Sequence, residues 1–275
     1  MNSKLYSRRL FCQLGIGFTL SVAIAACNTP SEPEQTEAAP LKVGLNVGNV
    51  PWEYEDEAGE LVGFEVDLIE AIATALDREI EFIDMPFIDL FPALLSERID
   101  VAIASITITE ERLETLDFAQ PYYDSDQSLT VRSDSEIERL EDMAGKVVAV
   151  DNGSTGDQWV TENQDRYQFA EIVRYEGLNP AMEDLAAGAF DGYISDLPAT
   201  TYYVQDHDDL AVVERIPTGE QYSMMFAKGN PLRDQCNEVI STLKQDNTLA
   251  AIHEKWFGVA PDPDTSTVVV KPVPE

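Results

Sequence analysis

From residue 41 onward the hydrophobic positions switch repeatedly between two periods. Leu41, Val43 and Leu45 alternate with Lys42, Gly44 and Asn46, which is the period of a strand. Residues 47–52 carry Gly48, Asn49 and Pro51 and read as a loop, and 53–61 reads as a hairpin turning at 56–59. Over 63–78 the period becomes helical, with Phe64, Leu68, Ile69, Ile72 and Leu76 on one face. A strand at 80–83 and a short helix at 89–98 follow, with Pro92 tolerated in the first helical turn. Val101, Ile103, Ile106 and Ile108 then predict a strand that runs into a helix start. Thr109 is the predicted N-cap, and Glu110 and Glu111 occupy the first turn. Residues 118–123 read as a loop and 128–131 as a strand.

A second passage repeats this grammar. It predicts a near-continuous apolar strand at 146–150, a Gly-bearing turn at 151–156 and a helix from Asp157. A strand at 172–175 leads to a helix capped by Asn179 and opened by Pro180. A strand at 192–195 leads to a helix opened by Pro198, and a strand follows at 211–213. The pattern closes with a strand at 223–227, helices at 230–246 and 248–257, and a Pro- and Asp-rich tail at 259–275 that reads as mobile. Alternating strands and helices in two passages predict an α/β fold with largely parallel sheets. The 275 residues suffice for one large or two medium domains.

Ligands in open α/β sheets bind beyond the carboxyl ends of strands. Asn46, Phe87, Ser105, Thr107, Asp151, Ser154, Thr155, Ser195 and Asp196 lie at or beside such ends, and they come from both passages. That distribution predicts a cleft between two halves. Arg112 falls in the first turn of its helix, where a cation opposes the helix dipole. The placement makes sense if the guanidinium and the free amides of the turn hold one anion. The plainer alternative is a surface arginine paired with Glu111, Glu114 or Asp117. Asp196 supplies a negative group in the other half, and one cation facing one anion across a cleft suits a zwitterion. Its plainer alternative is the cap of the helix opened by Pro198.

Composition narrows the class. The formal net charge of −33 argues against nucleic acid as a partner, because no basic patch is available to neutralise phosphates. Lys4, Arg8 and Arg9 precede a short apolar run that ends at Ile24-Ala25-Ala26-Cys27, the pattern of an export signal. Ser7-Arg8-Arg9-Leu10-Phe11 resembles a twin-arginine motif. The run before Cys27 resembles a lipoprotein box, which would place a lipid on Cys27 and anchor the protein to a membrane. Residues 28–40 lack large apolar side chains and read as a tether. With Cys12 in the signal and Cys27 lipidated, Cys236 is left alone, so neither an internal disulfide nor a cysteine metal site is expected. No motif calls for a cofactor or a metal.

Seven motifs resemble one family. They are Pro51-Trp52-Glu53, Gly63-Phe64-Glu65-Val66-Asp67-Leu68, Phe91-Pro92-Ala93-Leu94-Leu95, Ile106-Thr107-Ile108-Thr109-Glu110-Glu111-Arg112, Phe118-Ala119-Gln120-Pro121-Tyr122-Tyr123, Gly145-Lys146-Val147-Val148-Ala149-Val150 and Lys255-Trp256-Phe257-Gly258. In this order, over 41–258, they resemble a family 3 extracellular solute-binding protein, the polar amino-acid receptor of an ABC importer. The resemblance implies a two-lobed, Venus-flytrap fold. Lobe one would be 41–129 plus 222–258, lobe two 130–221, with hinge strands crossing near Thr130 and Tyr222. It implies a monomer that delivers an amino acid to a membrane permease from an exported position. In such relatives the arginine at Arg112 pairs with the ligand α-carboxylate. Groups near Ala104, Ser105 and Thr107, and the turn at Ser154 and Thr155, assist it. Asp196 takes the α-ammonium and Phe87 covers the ligand side chain, which Asn46, Asn49, Asp151 and Ser195 would read. Asn46 departs from the acid, Asn49 from the aromatic, and Asp151 from the glutamine or lysine often found there, so a basic and a polar neutral ligand both remain open. A prephenate-type dehydratase on the same fold and a ligand sensor are the alternative functions.

Overall fold

Each of the two alternating passages builds its own sheet. The computed structural model describes residues 39–275 and the two-residue strand Leu5–Tyr6, which runs antiparallel beside Ile80–Asp84. Apart from that pair, the predicted export signal, Cys27 and the tether up to residue 38 lie outside the described residues. Among the described residues, no helix is long and apolar enough to cross a membrane.

In the first sheet Leu41–Leu45 lies between Ile80–Asp84 and Val101–Ala102, parallel to both. Met225–Ala227 returns from the far end of the chain to pair antiparallel with Val101–Ala102 and Leu116–Phe118. Helices α1 (Phe64–Ala75), α2 (Phe87–Leu95) and α3 (Glu110–Thr115) belong to this half. In the second sheet Val147–Asp151 lies parallel to Glu171–Tyr175 and Gly192–Asp196. The long strands Tyr123–Arg132 and Leu210–Tyr222 complete it antiparallel. Helices α4 (Thr155–Tyr167), α5 (Leu178–Ala186) and α6 (Leu197–Tyr203) connect its strands. Helices α7 (Leu232–Gln245) and α8 (Thr248–Phe257) pack back on α1. The α/β class and the two-lobed plan are borne out, but each sheet is mixed, because the chain crosses between the lobes twice.

Trp52 is fully buried beneath the crossings. Its indole meets Phe64, Tyr123, Tyr222 and Phe257 edge-on, at centroid distances of 4.8–5.5 Å. Edge-to-face rings pair a positive rim with a negative face, so this cluster is directional as well as apolar. Gly63 makes it possible: its φ is 148°, and a Cβ there would fall 1.9 Å from the Trp52 carbonyl oxygen. The second lobe has a separate core of Leu129, Val131, Val148, Val150, Val160, Ile194 and Ile216.

Three expectations are corrected. The run from Val101 to Ile108 is not one strand. The first strand ends at Ala102, Ser105 takes a positive φ of 43°, and pairing resumes as a single antiparallel bridge from Thr107 to Tyr222. Burial of Ile103, Ala104 and Ile106 explains the apolar run, with the Ile103 amide still donating to the Gly44 carbonyl at 3.0 Å. Second, the strand expected at 128–131 begins at Tyr123, and that expected at 211–213 extends to Tyr222. Tyr123–Arg132 belongs to the second sheet over its whole length, so the first crossing precedes Thr130. The sequence hides this because Ser125, Asp126, Gln127 and Ser128 are polar yet buried. Third, the tail is docked. Ser266 and Thr267 are buried, Ser266 donates through both N (2.7 Å) and Oγ (2.5 Å) to Asp124, and Thr267 Oγ1 donates to the Tyr122 carbonyl at 3.0 Å. Lys244 Nζ donates to the Val269 carbonyl at 3.2 Å. Polar residues read as loose because the partners that hold them are distant in sequence.

Candidate functional site

The carboxyl ends of the strands from both sheets face one enclosed cavity. Asn46, Asn49, Phe87, Ala104, Ser105, Thr107 and Arg112 line it from the first half, and Asp151, Ser154, Thr155, Ser195 and Asp196 from the second. All twelve residues singled out from the sequence as ligand contacts therefore meet in one place. Gly177 and Leu178, at the start of α5, also line it and were not foreseen. The strand-end rule reaches them too, since Glu171–Tyr175 ends just before them. The cavity volume is about 50 Å³. Ligand pockets commonly hold roughly 300–1,000 Å³. The lobes are thus closely apposed here.

Arg112 is brought in by the N-terminus of α3, where Thr109 Oγ1 accepts from the Arg112 amide at 3.1 Å. The guanidinium turns back along the helix. Nη1 donates to the Thr107 carbonyl at 2.7 Å, and Nη2 reaches the Gly153 carbonyl of the other half at 3.4 Å. Its central carbon lies 5.5 Å from the Phe87 ring centroid and 5.1 Å from that of Phe91. Both aromatic rings thus face the cation, and Phe91 was not foreseen in the site. Burial pushes the Arg112 group down to about 10, against the opposing pull of Glu220, Asp196 and Glu111. The surface-pair reading does not hold for Asp117, which pairs with Lys228 at 3.1 Å instead.

Asp196 is the N-cap residue of α6 by position but makes no side-chain cap hydrogen bond. Its Oδ1 accepts from Gln127 Nε2 at 2.7 Å. Burial, then the charge of Glu220, pushes its carboxyl up to about 8. Such a group is costly to keep charged without a cation, so the geometry calls for a positive partner beside it. Asp151 ends its strand, and its Oδ2 accepts from Tyr193 Oη at 2.5 Å and Ser195 Oγ at 3.1 Å. Its Oδ1 is buried with no partner, and burial pushes this carboxyl up to about 6.

The remaining polar residues are held by neighbours. Ser154 caps α4 by accepting from the Asp157 amide at 3.0 Å. Asn46 Nδ2 donates to the Met85 carbonyl at 3.2 Å, and Asn49 Nδ2 to Ser105 Oγ at 3.0 Å. The Ser105 amide donates to both oxygens of the buried Glu65, at 2.8 and 3.0 Å. That amide is therefore spent within the protein. Gln127 and Glu220 stand behind the cavity wall and were not foreseen. Nothing local marks a charged residue of a solvent-patterned strand as buried. Among the described residues, no group of three or more His, Cys, Asp or Glu is placed to hold a metal ion. Cys236 is buried on α7, and burial pushes its thiol up to about 12.

This two-sided arrangement can hold a small molecule by opposite charges at its two ends. Comparison with known proteins agrees in fold and in sequence. The arginine-binding extracellular protein ArtP of Bacillus subtilis (strain 168) is 29% identical over 241 residues, covering 86% of this chain and 94% of its own. The L-cystine-binding protein TcyJ of Escherichia coli (strain K12) is 31% identical over 226 residues, covering 81% and 84%. An ancestral arginine-binding protein, solved with arginine, superposes with a TM-score of 0.76 at 35% identity, covering 81% of this chain and 100% of that one. The model of the bacterial extracellular solute-binding proteins, family 3, matches residues 41–259, and the chain belongs to that family.

Proposed function

We propose that this protein captures an amino acid with a cationic side chain between its lobes and hands it to the membrane permease of an ABC importer. The observation that carries the reading is the charge inventory of the closed cleft. One guanidinium, Arg112, is enclosed with Asp151, Asp196 and, just behind the wall, Glu220. The α-carboxylate of an amino acid answers Arg112 and its α-ammonium answers Asp196. That leaves Asp151, whose unpartnered oxygen suits a guanidinium or ammonium on the ligand side chain. An acidic side chain would add a further negative charge to a site already in excess. A groove beside Arg112 carries Glu111, Glu114 and Glu162 as well as the Asp157–Arg174 pair, so carboxylates outnumber cations there too. The arginine named for ArtP and bound in the ancestral protein is of this class. A neutral amide is the second reading. Asp151 accepts equally well from an amide N–H, and the same ancestral protein has been solved with glutamine.

The lobes that separate are taken to be the two sheets with their helices, and no covalent chemistry is assigned to the cleft. The export signal and a lipid on Cys27 would hold the protein on the outer side of a membrane. Mass spectrometry of the mature chain checks this, and an unmodified N-terminus beyond Cys27 would sink the anchor.

The test is a thermal-shift screen of arginine, lysine, histidine, glutamine and glutamate, followed by calorimetry. Saturation at 100 times Kd stabilises by about 2.7 kcal/mol, a readily measured shift. Arginine and lysine are expected to shift the melt most and glutamate not at all. A melt that no amino acid moves, or that glutamate moves most, overturns the reading.

A further inference from the structure

We propose that Glu220 is a positioning residue for the cleft: by taking the hydroxyl protons of Thr107 and Thr155, it turns both hydroxyls toward the ligand as acceptors and clasps the two lobes together. The inference rests on the amino-acid reading above and deepens it.

Glu220 is buried on the long strand Leu210–Tyr222, just past a register shift that begins at Ile216. Its Oε2 accepts from Thr107 Oγ1 at 2.7 Å and from Thr155 Oγ1 at 3.1 Å. Its Oε1 accepts from Gln127 Nε2 at 3.0 Å, and the same nitrogen donates to Asp196 Oδ1 at 2.7 Å and, more weakly, to one lone pair of Thr155 Oγ1 at 3.4 Å. A carboxylate only accepts, and a hydroxyl has one proton to give. The protons of Thr107 and Thr155 are therefore committed to Glu220. What each hydroxyl still offers to the cavity is a lone pair, which welcomes an N–H and repels a carboxylate oxygen.

This assigns the two ends of the ligand. Thr107, Thr155 and Asp196 form the ammonium end, with Gln127 tying Asp196 to Glu220. Arg112 and the free amides of the first turn of α4 are left to the carboxylate. On this assignment the Thr107 and Thr155 hydroxyls serve the ammonium, and the backbone of the two turns is left to the carboxylate. The clasp follows from the same bonds. Thr107 belongs to the first half and Thr155 starts α4 of the second, so one carboxylate bridges the halves at the base of the cleft. Opening the lobes breaks at least one of the two bonds. No residue of this pair stands out locally, since Glu220 lies 113 positions from Thr107 and 65 from Thr155.

The test compares full-length wild type with Glu220→Gln, using L-arginine and 5-guanidinopentanoate, which is arginine without its α-ammonium. Glutamine keeps the shape, but an NH₂ in the place of Oε2 faces both hydroxyls and turns their protons toward the cavity, and an NH₂ in the place of Oε1 faces Gln127 Nε2, which holds Asp196. Calorimetry, by displacement for the weaker ligand, is expected to show arginine weakened about tenfold or more, the range of one charged hydrogen bond, with little change for the analogue. Equal losses for both ligands would mean a merely structural role and overturn the assignment. A wild type that binds neither ligand would sink the amino-acid reading and the ammonium assignment with it. The clasp is judged without ligand, from the melting of wild type, Glu220→Gln, Thr155→Val and the double variant. The double variant is expected to lose less than the two single losses combined, and strict additivity overturns the clasp.

Discussion

At the scale of the residue, the informative feature is a set of carboxyls that the fold keeps at a disadvantage. Asp196 is pushed from an ordinary 3.8 up to about 8, first by burial and then by Glu220. The folded chain thus holds a proton there that the unfolded chain releases, so Asp196 weakens the fold progressively as pH rises from about 4 to 8. Asp196→Asn removes that penalty. It is expected to raise stability at pH 8 by at least about 1.4 kcal/mol, the equivalent of one tenfold step, and by little near pH 4. The same variant should bind amino acids at least about a hundredfold more weakly, since a charged partner is lost. Urea melts at the two pH values, with calorimetry, check both; a variant less stable at pH 8 contradicts the account. In the wild type a ligand ammonium favours the charged carboxyl, so affinity should climb between pH 6 and 8. At Asp151, Asp151→Asn is expected to narrow the preference for arginine over glutamine by about tenfold, the range of one charge-assisted bond. An unchanged ratio would remove Asp151 from the reading of the side chain.

At the scale of the element, function comes from how helices begin. Thr109 at α3 and Ser154 at α4 are N-caps, each satisfying one of the amides that a helix start leaves without an intrahelical partner. The turn before α4 is shaped by Gly153, with φ of 73°. Its carbonyl receives Arg112 Nη2, and a Cβ added there would lie 2.4 Å from Ile88 Cδ1, at the start of α2 in the other half. Gly153 thus lets the two halves close on each other. Gly153→Ala costs on the order of 1 kcal/mol in backbone strain and adds the clash with Ile88. Ligand affinity should drop by about tenfold or more, with Ile88→Ala recovering the steric part but not the strain. Unaltered affinity in the single variant would show that Gly153 is not at the closing contact.

At the scale of the molecule, two crossings join the lobes, and the end of the chain is tied to both. Asp124 belongs to the first long strand and Gln221 to the second. Ser266 binds Asp124, and Gln221 Nε2 donates to Ser266 Oγ at 2.9 Å. Lys244 is buried nearby between the Gln120 side chain and the Pro121 and Val269 carbonyls. Burial, with Lys271 close by, pushes its ammonium down to about 7. Removing residues 259–275 should cost on the order of 3 kcal/mol, the sum of a few such hydrogen bonds. It should also make the lobes open more readily, because both crossings lose a tether. Urea denaturation and small-angle scattering measure the two effects. A truncated chain that melts like the full one would show the docking to be incidental.

The sequence by itself determined most of the local structure. Period-2 and period-3.6 patterns are consequences of backbone geometry that each residue obeys with its neighbours, and so are caps such as Thr109 and turns at glycine. The helix at Thr248–Phe257 lies where the pattern placed it, and the strand-end rule named nine of the twelve cleft residues, from both halves. Only the tertiary structure decided which polar residues are buried. Ser125–Ser128 in the first long strand, Glu220 in the second and Ser266 in the tail all carry surface-like side chains whose partners lie tens of residues away. A short polar side chain costs little in water and little in a satisfied hydrogen bond. Its local sequence therefore does not say which it has, and Glu220 shows as part of the site only when the chain has brought Thr107 and Thr155 to it.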